Sequence, residues 1–420
     1  MSGASLSPLA RRIATEHAAS AAADRRPALE RFLSQGLPAA RDEDWRYANL
    51  KPLDKAVFAP PATAAALDAS LLPEALEDHA RYVFIDGLFF AAGAGASEQH
   101  GLTVTTGRTP SADARRDDSN SDTGFALLNE AFAADGAELS VAAGSSARVE
   151  VIFLSSNAGA AYPRLSVRLG ANARLSLIER HLAPGGAAGF ISTAITVNVD
   201  DGATLDHYRL QQAGNGATWI DTATVTVGRD ATCNTHLLML GALSARSTAQ
   251  VRLAQSGAAL AFNAVAVADG RQVQDCLVLV DHQAPHTRTE ENFRGIAGGR
   301  SRLGFNGKII VREAATRADS AQSLRGLIAG AEAEIDLRPQ LEIYTDDVRC
   351  SHGATTGKLD ENMLFYLLSR GLAPEVAQRL LKWAFITDVV SRIAPERLRQ
   401  QARQGLMGQM QDADALKELL

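Results

Sequence analysis

The stretch from residue 137 to residue 357 is a succession of short strand-like segments separated by small residues. Apolar residues alternate within a segment, as in Leu165, Val167 and Leu169, which is the period of one face of a β-strand. A glycine and a few small residues precede many of these segments, at spacings that cluster near 30 residues. The repeating units begin at Gly144, Gly170, Gly202, Gly228, Gly257, Gly299 and Gly330.

This repeat restricts the fold to a β architecture with short corners. Long helical patterns are absent between the units, and the small residues permit tight turns. One unit cannot bury its apolar face alone, so neighbouring units must stack to form a core. We therefore expect a parallel β-helix, that is, a β-solenoid, with a β-sandwich as the alternative.

The N-terminal flank has a mixed pattern. Residues 1–35 have helical character, and residues 81–90 predict two strands joined by a turn. The polar segment 107–124 predicts a loop. Residues 125–136 predict a short amphipathic helix that ends at Gly136.

The C-terminal flank predicts helices. Asp360 can cap a first helix that Gly371 ends, Pro374 stands at the start of a second, and Pro395 starts a third. The sequence therefore divides into three predicted domains. These are a mixed N-terminal domain (1–136), a β-helix core (137–357) and a helical C-terminal domain (358–420).

Composition excludes several classes of function. The net charge of -6 argues against binding to nucleic acid or to an anionic membrane, and no apolar run is long enough to cross a bilayer. Three scattered cysteines are not a disulfide framework, so we expect a reducing compartment, the cytoplasm. The N-terminal segment lacks an apolar core and contains Glu16, which favours an amphipathic helix over an export signal, with a transit peptide as the alternative.

Two stretches that end in Gly-Lys imitate a phosphate-binding loop. GATTGKL at 353–359 and GFNGKI at 304–309 have three and two residues between their glycines, whereas the loop needs four. Leu359 and Ile309 also replace the hydroxyl residue that holds magnesium. The chain is therefore not expected to bind ATP itself.

Cys350 and His352 are the strongest candidate metal ligands. They lie two residues apart in a segment predicted to be extended, so both side chains face the same side and can converge on one ion. Packing of the pair without a metal is the alternative. His282 and His286 form a weaker candidate pair, because Pro285 argues against a helix that would align them.

The chain has too few thiolates to hold an iron–sulfur cluster alone. A cluster held by protein typically takes about four ligands, four Cys or a mixture of Cys and His. Cys233 and Cys276 lie in predicted strands, where apolar packing is expected. The remaining histidines of the repeat are expected at the surface or at corners: His181, His207 and His236.

Motifs of nucleophilic and metal-dependent hydrolases are absent from the sequence. Two adjacent carboxylate pairs, Glu290–Glu291 and Asp346–Asp347, are the candidates for glycosidase-type chemistry. Neighbouring residues in a strand point to opposite faces, so neither pair can act together on one bond.

The C-terminal residues resemble the signature of the SufB/SufD family of iron–sulfur cluster assembly proteins. The resemblance spans 341–393 and includes FYLLSRG at 365–371, a helical hallmark of the family. RCSHGATTG at 349–357 is similar to the SufD branch. The SufB branch has Glu after the histidine, where this chain has Gly353.

An N-terminal segment resembles the same family. GLPAARDEDWRYANLKPL at 36–53 is similar to the family's segment with GLP and a Trp, although Asp44 replaces Glu before Trp45. With the repeat between the two motifs, the resemblance covers about residues 30–400.

The resemblance implies a right-handed parallel β-helix flanked by N-terminal and C-terminal helical domains. It implies that the SufD subunit pairs with SufB through the β-helices and docks the SufC ATPase on its C-terminal helical domain. ATP and magnesium are then held only by SufC. The chain is accordingly expected to be a scaffold rather than an enzyme, with no nucleic acid or membrane partner.

The resemblance also assigns site residues. His352 matches a histidine implicated at the SufB–SufD interface, where a transient iron–sulfur cluster or iron is shared with SufB and no cofactor is held by SufD alone. Cys350 matches the neighbouring cysteine. The residues that match the SufC-docking region are Met363, Leu364, Phe365, Tyr366, Leu367, Leu368, Arg370 and Gly371.

Two other readings stay open at this point. The chain can be a purely structural or iron-recruiting subunit in which Cys350 and His352 are packed. It can instead be a SufB-like scaffold that forms homodimers, although Gly353 argues against this. A homodimer of the isolated chain is compatible with either reading.

Overall fold

The computed structural model describes residues 7–20, 25–38, 42–66, 68–76, 78–90, 99–107, 123–156, 159–186 and 188–410. The helices in these ranges are α1 (Pro8–Ala18), α2 (Arg26–Gln35), α3 (Thr123–Phe132), α4 (Glu361–Ser369), α5 (Pro374–Val390) and α6 (Glu396–Gln409). Proline lies in the first turn of α1, α2 and α5, where the N–H that it lacks has no partner within the helix.

The strands dominate the chain after residue 136. They are β1 (Ala80–Ile85), β2 (Leu88–Phe89), β3 (Leu102–Gly107), β4 (Gly136–Val141), β5 (Ser146–Leu154), β6 (Ala160–Ala161), β7 (Arg164–Leu169), β8 (Arg174–Ala183), β9 (Phe190–Val199), β10 (Thr204–Ala213), β11 (Thr218–Val227), β12 (Thr232–Met239), β13 (Ser244–Leu253), β14 (Ala259–Ala268), β15 (Val273–His282), β16 (Arg288–Ala297), β17 (Arg302–Val311), β18 (Ala318–Ile328), β19 (Glu334–Ile343) and β20 (Val348–Gly357).

Across the described residues these strands form two long sheets. Sheet 1 has the order β2-β1-β5-β8-β10-β12-β14-β16-β18-β20, and sheet 2 has the order β19-β17-β15-β13-β11-β9-β7-β4-β3. Neighbouring strands come from successive turns and are parallel, except the antiparallel pairs β1–β2 and β3–β4. The chain is therefore a β-solenoid of about eight turns, which confirms the predicted fold class of a mainly β protein with helices at both ends.

Alternate residues of both sheets fill the interior of the solenoid. Leu205, Cys233 and Leu260 are register partners on β10, β12 and β14, and all three are buried in one hydrophobic cluster. Each turn thus stacks an apolar side chain on the same position of the turn before it. This stacking supplies the core that a single turn cannot form.

One corner of the solenoid repeats the same backbone conformation in successive turns. The Gly202 N–H donates to Arg229 O at 2.8 Å, and the Gly257 N–H donates to Pro285 O at 3.2 Å. Glycine reaches the left-handed region without steric penalty, and Asn or Asp can also adopt it. The corner residues with positive φ are Asn172, Gly202, Asp230, Gly257, His286 and Arg317.

The helices cover the outer faces of the two sheets. Trp383 and Ile386 of α5 and Leu398 of α6 pack on sheet 1 in a cluster that includes Val265 and Ile296. The N-terminal helices and α3 pack with Phe190 and Ile220 on sheet 2.

The segment 36–53 lies beside the N-terminal helices. Its Trp45 is 1% exposed and stacks on Phe125, and the Arg246 guanidinium of sheet 2 lies 4.6 Å from the Trp45 ring centroid. Ser244 Oγ donates to Asn49 O at 2.7 Å. The aromatic residue of the motif therefore anchors the segment to the solenoid.

The structure corrects the prediction for residues 125–136. The helix ends at Phe132, and Gly136 starts a strand instead of ending the helix. The apolar Leu128 and the polar Asn129 are both 0% exposed and Glu130 is 7% exposed, so α3 is buried rather than amphipathic. The reason is that α2 covers one side of α3 while sheet 2 covers another.

The remaining N-terminal predictions have mixed outcomes. The two strands and the turn in 81–90 are present as β1 and β2. Most of the predicted loop 107–124 lies outside the described residues. Strands β1 and β3 pair with β5 and β4, so segments before residue 137 join the same sheets. The division into three domains stays a prediction.

Candidate functional site

The C-terminal end of the solenoid is open. Strands β19 and β20 are the last strands of the two sheets, and each is ten residues long. Ile343 is 41% exposed and Tyr344 is 59% exposed, while the core residues of β19 are only half-buried. We call β19, β20 and Tyr344 the open end.

Strand β20 holds both candidate metal ligands. Cys350 pairs in register with Ser320 of β18, and His352 pairs with Gln322. Ser320 and Gln322 are 1% and 4% exposed, which shows that this column of residues faces the interior. Cys350 is half-buried against the core, whereas His352 is exposed.

The Cys350 thiol is not activated. Burial raises its pKa above the ordinary value, and the negative charge of Asp319 raises it further. Since the thiolate is the metal ligand, Cys350 needs a bound ion or a nearby partner cation before it can coordinate.

A buried polar pair lies one and two turns behind His352. Gln322 Nε2 donates to Glu291 Oε2 at 2.6 Å and to Gly307 O at 2.9 Å. Glu291 is fully buried, and burial raises its pKa to about 7 although the hydrogen bond from Gln322 lowers it. The sequence analysis identified Glu291 only as half of a carboxylate pair; the turn-to-turn spacing of Glu291, Gln322 and His352 is the signal that it missed.

Helix α4 is exposed along its length. Asp360 caps it by accepting hydrogen bonds from the N–H groups of Asn362 and Met363, and Gly371 follows it with a φ of 88°. No residue of α4 is buried. Met363, Phe365, Tyr366 and Leu368 are 56%, 72%, 56% and 36% exposed. Leu364 and Leu367 are half-buried, and the Arg370 guanidinium lies 5.2 Å from the Tyr366 ring centroid.

The second candidate pair, His282 and His286, is not brought together. His282 is fully buried, and its Nδ1 and Nε2 lie 2.8 Å from Thr287 Oγ1 and 2.9 Å from Thr289 Oγ1. Burial lowers the pKa of His282 to about 4. His286 is exposed at the corner with a φ of 60°. His282 is therefore a core residue.

Cys233 and Cys276 are buried in the interior cluster, in agreement with the packing role predicted for them. Burial raises the pKa of Cys233 to about 11, although a hydrogen bond with Thr235 lowers it. Burial also raises the pKa of Cys276 well above its ordinary value. Both groups are inert thiols at neutral pH.

The prediction that His181, His207 and His236 lie at the surface or at corners is wrong. Their exposures are 2%, 3% and 5%, because all three lie within strands and not at turns. His236 stacks on Tyr208 beneath the C-terminal helices, and burial lowers its pKa to about 4.

His181 and His207 belong to a charged network inside the solenoid. His207 Nε2 lies 2.8 Å from Glu179 Oε2, and His181 also contacts this carboxylate. Arg209 Nη2 bridges Glu179 and Asp221 at 3.0 Å and 2.7 Å. Burial would raise the pKa of Glu179, but Arg209 and the two imidazoles outweigh it and hold the pKa well below 4.5.

The described residues contain no group of three or more His, Cys, Asp or Glu side chains that could hold a metal ion. The two Gly-Lys stretches lie in β17 and at the end of β20. A phosphate-binding loop instead connects a strand to a helix that begins at its lysine, and neither stretch has this arrangement. Among the helices of the described ranges, none is long and apolar enough to cross a membrane.

Comparison with known proteins places the chain in a family. The family model described as "SUF system FeS cluster assembly, SufBD core domain" matches residues 152–385, more than half of the chain. The iron–sulfur cluster assembly protein SufD of Escherichia coli is 28% identical over 388 residues, which are 89% of this chain and 89% of that protein. A SufBD family protein of Synechocystis is 27% identical over 394 residues, or 88% and 86% of the two chains. The chain therefore belongs to the SufB/SufD family of iron–sulfur cluster assembly proteins, as a SufD-type member.

Proposed function

We propose that this protein is a scaffold subunit that pairs with SufB, docks the SufC ATPase and shares a nascent iron–sulfur cluster with SufB. The observation that supports this most directly is the open end. It places Cys350 and His352 on an uncovered edge strand beside half-buried core residues.

The partner at the open end is proposed to be the β-helix of SufB. Edge strands present unpaired N–H and C=O groups, and long exposed ones invite pairing with another strand. Strands β19 and β20 end their two sheets without a helix or hairpin over them in the described residues. A second solenoid placed end to end would cover both edges and the exposed Ile343 and Tyr344.

The cluster is cargo in this proposal and not a resident cofactor. His352 supplies an imidazole, a ligand that suits iron, and Cys350 becomes a ligand only after it loses its proton. The described residues offer no third ligand group near them. The other ligands must therefore come from SufB.

Docking of SufC is assigned to α4. This helix exposes Met363, Phe365 and Tyr366, which is unusual for large apolar side chains unless a partner covers them. The residues 358–360 alone separate α4 from β20. Force applied to α4 by SufC as it binds ATP and magnesium therefore reaches the strand that holds His352. We assign ATP hydrolysis to SufC and the complex to the cytoplasm, where three free cysteines stay reduced.

A purely structural role is the second candidate, because Cys350 is packed against the core with a raised pKa. In that case the open end still binds SufB, but no residue of this chain touches iron.

The first experiment is anaerobic co-expression of the full chain with SufB and SufC from the same organism. We expect a three-component particle whose bound iron and sulfide fall with His352→Ala. His100→Ala is the matched control, since His100 is exposed far along the chain from β20. Equal amounts of bound iron and sulfide in both variants would show that the chain has only a structural role. A homodimer without SufB would refute the pairing.

The second experiment tests α4. Phe365→Asp should release SufC while SufB stays bound. Val57→Asp is the control, because Val57 is 51% exposed and Phe365 is 72% exposed. Retention of SufC by the Phe365 variant would exclude α4 as the docking helix.

A further inference from the structure

Gln322 has one free hydrogen-bonding atom, and it is buried. The side chain is 4% exposed, and its Nε2 donates both hydrogens, to Glu291 Oε2 at 2.6 Å and to Gly307 O at 2.9 Å. Gly307 O can only accept, so the amide orientation follows from its partners. Within the described residues Gln322 Oε1 has no hydrogen-bond partner.

The pair is held in a cavity that glycine creates. A Cβ at position 307 would collide with Glu291 Oε2 and with Gln322 Nε2. Glu291 is itself fully buried, and Gln322 is 4% exposed. An orphaned buried acceptor destabilises the folded chain, so Gln322 Oε1 is expected to have a partner in the working protein.

The neighbour of Gln322 on the other side is His352. The two residues are register partners on β18 and β20, and neighbouring strands lie about 4.8 Å apart. His352 is exposed at the edge strand and is free to turn its ring toward the interior column. A neutral imidazole has one N–H donor and one nitrogen with a lone pair.

We propose that Gln322 is a positioning residue for His352: its Oε1 accepts the hydrogen bond from one imidazole N–H, and Glu291 and Gly307 hold the amide in that orientation. The other ring nitrogen then keeps its lone pair, faces the open end and can coordinate iron. This inference rests on the proposed role of His352. Histidine ligands generally donate their second N–H in this way, and loss of that acceptor lowers metal affinity about 10- to 100-fold.

The first test uses the isolated full chain labelled with ¹⁵N-histidine, at a pH where His352 is neutral. The His352 signals are assigned by their loss in His352→Asn. We expect one tautomer in the wild type and a mixture in Gln322→Leu. Gln211→Leu is the matched control, because Gln211 is also a buried glutamine on an inner face of sheet 1, at 1% exposure.

Glu291→Gln is the conservative variant, because the amide oxygen that it introduces still accepts the hydrogen bond from Gln322 Nε2, while Gly307 O accepts the other. It keeps Gln322 Oε1 directed at His352 and should keep the single tautomer, so that only loss of the acceptor in Gln322→Leu produces the mixture. The same tautomer mixture in wild type and Gln322→Leu would overturn the proposal. A tautomer mixture in the wild type would refute the proposal without any variant, so a variant that fails to fold does not remove the test.

The second test measures iron bound by the three-component complex. Gln322→Leu should weaken iron binding about 10- to 100-fold, and Glu291→Gln should retain most of it. If His352→Ala leaves iron binding unchanged, the proposed function of His352 fails. The tautomer measurement of the first test still decides whether Gln322 Oε1 accepts a hydrogen bond from His352. Unchanged iron binding in Gln322→Leu, with His352→Ala impaired, would refute the positioning role.

Discussion

The two ends of the solenoid are built differently. At the N-terminal end, antiparallel neighbours flank both sheets, through the two-residue β2 on sheet 1 and through β3 on sheet 2. Core residues there, such as Phe84 and Leu139, are fully buried. At the C-terminal end, no described element covers the two ten-residue edge strands, and Ile343 is 41% exposed. The difference teaches that the described chain covers one end of the solenoid and leaves the other uncovered, at the place proposed for the interface.

The largest predicted contrast is in stability. Phe84→Ala should lower the free energy of unfolding by about 3–5 kcal/mol, because Phe84 packs on Phe89 and Phe153 in a closed core. Ile343→Ala should lower it by about 1 kcal/mol or less, because its side chain is already partly in water. Urea unfolding of the isolated chain measures both. Equal losses would show that the C-terminal end is as closed as the other.

The next contrast is between buried carboxyl groups. The pKa of Glu291, near the open end, is raised from 4.5 to about 7 in the folded state, mainly by burial. The folded protein then holds a proton that the unfolded chain has lost. The stability from this group is complete below pH 4.5 and is lost as the pH rises to about 7, by about 3 kcal/mol. Urea midpoints between pH 4.5 and pH 8 should show this slope in the wild type and not in Glu291→Gln.

Glu179 in the middle of the solenoid should behave oppositely. Its pKa is held below 4.5, so its contribution is present above that pH and is lost as the pH falls. A Glu179→Gln variant should remove this acid-side loss and leave Arg209 with one carboxylate fewer. If the free energy of unfolding changed with pH in the same direction for both residues, the opposite pKa shifts assigned to them would be contradicted.

A smaller effect tests the interface directly. Tyr344→Asp should weaken the binding of SufB about 30-fold, equivalent to about 2 kcal/mol, if the open end is the binding surface. Val57→Asp serves as the control, since both side chains are more than half exposed, at 59% and 51%. Affinities from titration of the purified subunits decide the matter. If Tyr344→Asp and Val57→Asp bound SufB with equal affinity, the interface would lie elsewhere.

The smallest effect concerns the thiols. Among Cys233, Cys276 and Cys350, we expect only Cys350 to react with iodoacetamide in the native chain, slowly because its pKa is raised. Mass spectrometry of the intact protein should find one modification. Added SufB should protect Cys350 if it covers the open end. Modification of Cys233 at the same rate would mean that the interior is accessible.

Much of the fold was predictable because its signals are local. The alternation of Leu165, Val167 and Leu169 indicates a strand without knowledge of any other strand. Asp360 and Pro374 predict helix starts because a cap and a first turn involve only neighbouring residues. The placement of Cys350 and His352 on one strand was predictable for the same reason.

What failed depended on distant neighbours. The burial of His181 and His207 follows from Arg209 and Glu179, which lie on the same or an adjacent turn. The burial of α3 follows from the sheet and the helix that cover it. The contacts that join the two turns connect residues 28 and 30 positions apart, which is beyond the reach of a local sequence pattern.

The sequence by itself determined that this protein is a stack of short strands with capped helices after it, and that its C-terminal motif resembles the SufB/SufD family. Periodicity and capping depend on residues a few positions apart, so they survive without a structure. Only the tertiary structure decided that Gln322 lies between Glu291 and His352, and that no described element covers β19 and β20. Register and exposure depend on which turns stack and which turn is last, and that is settled only when the whole solenoid has formed.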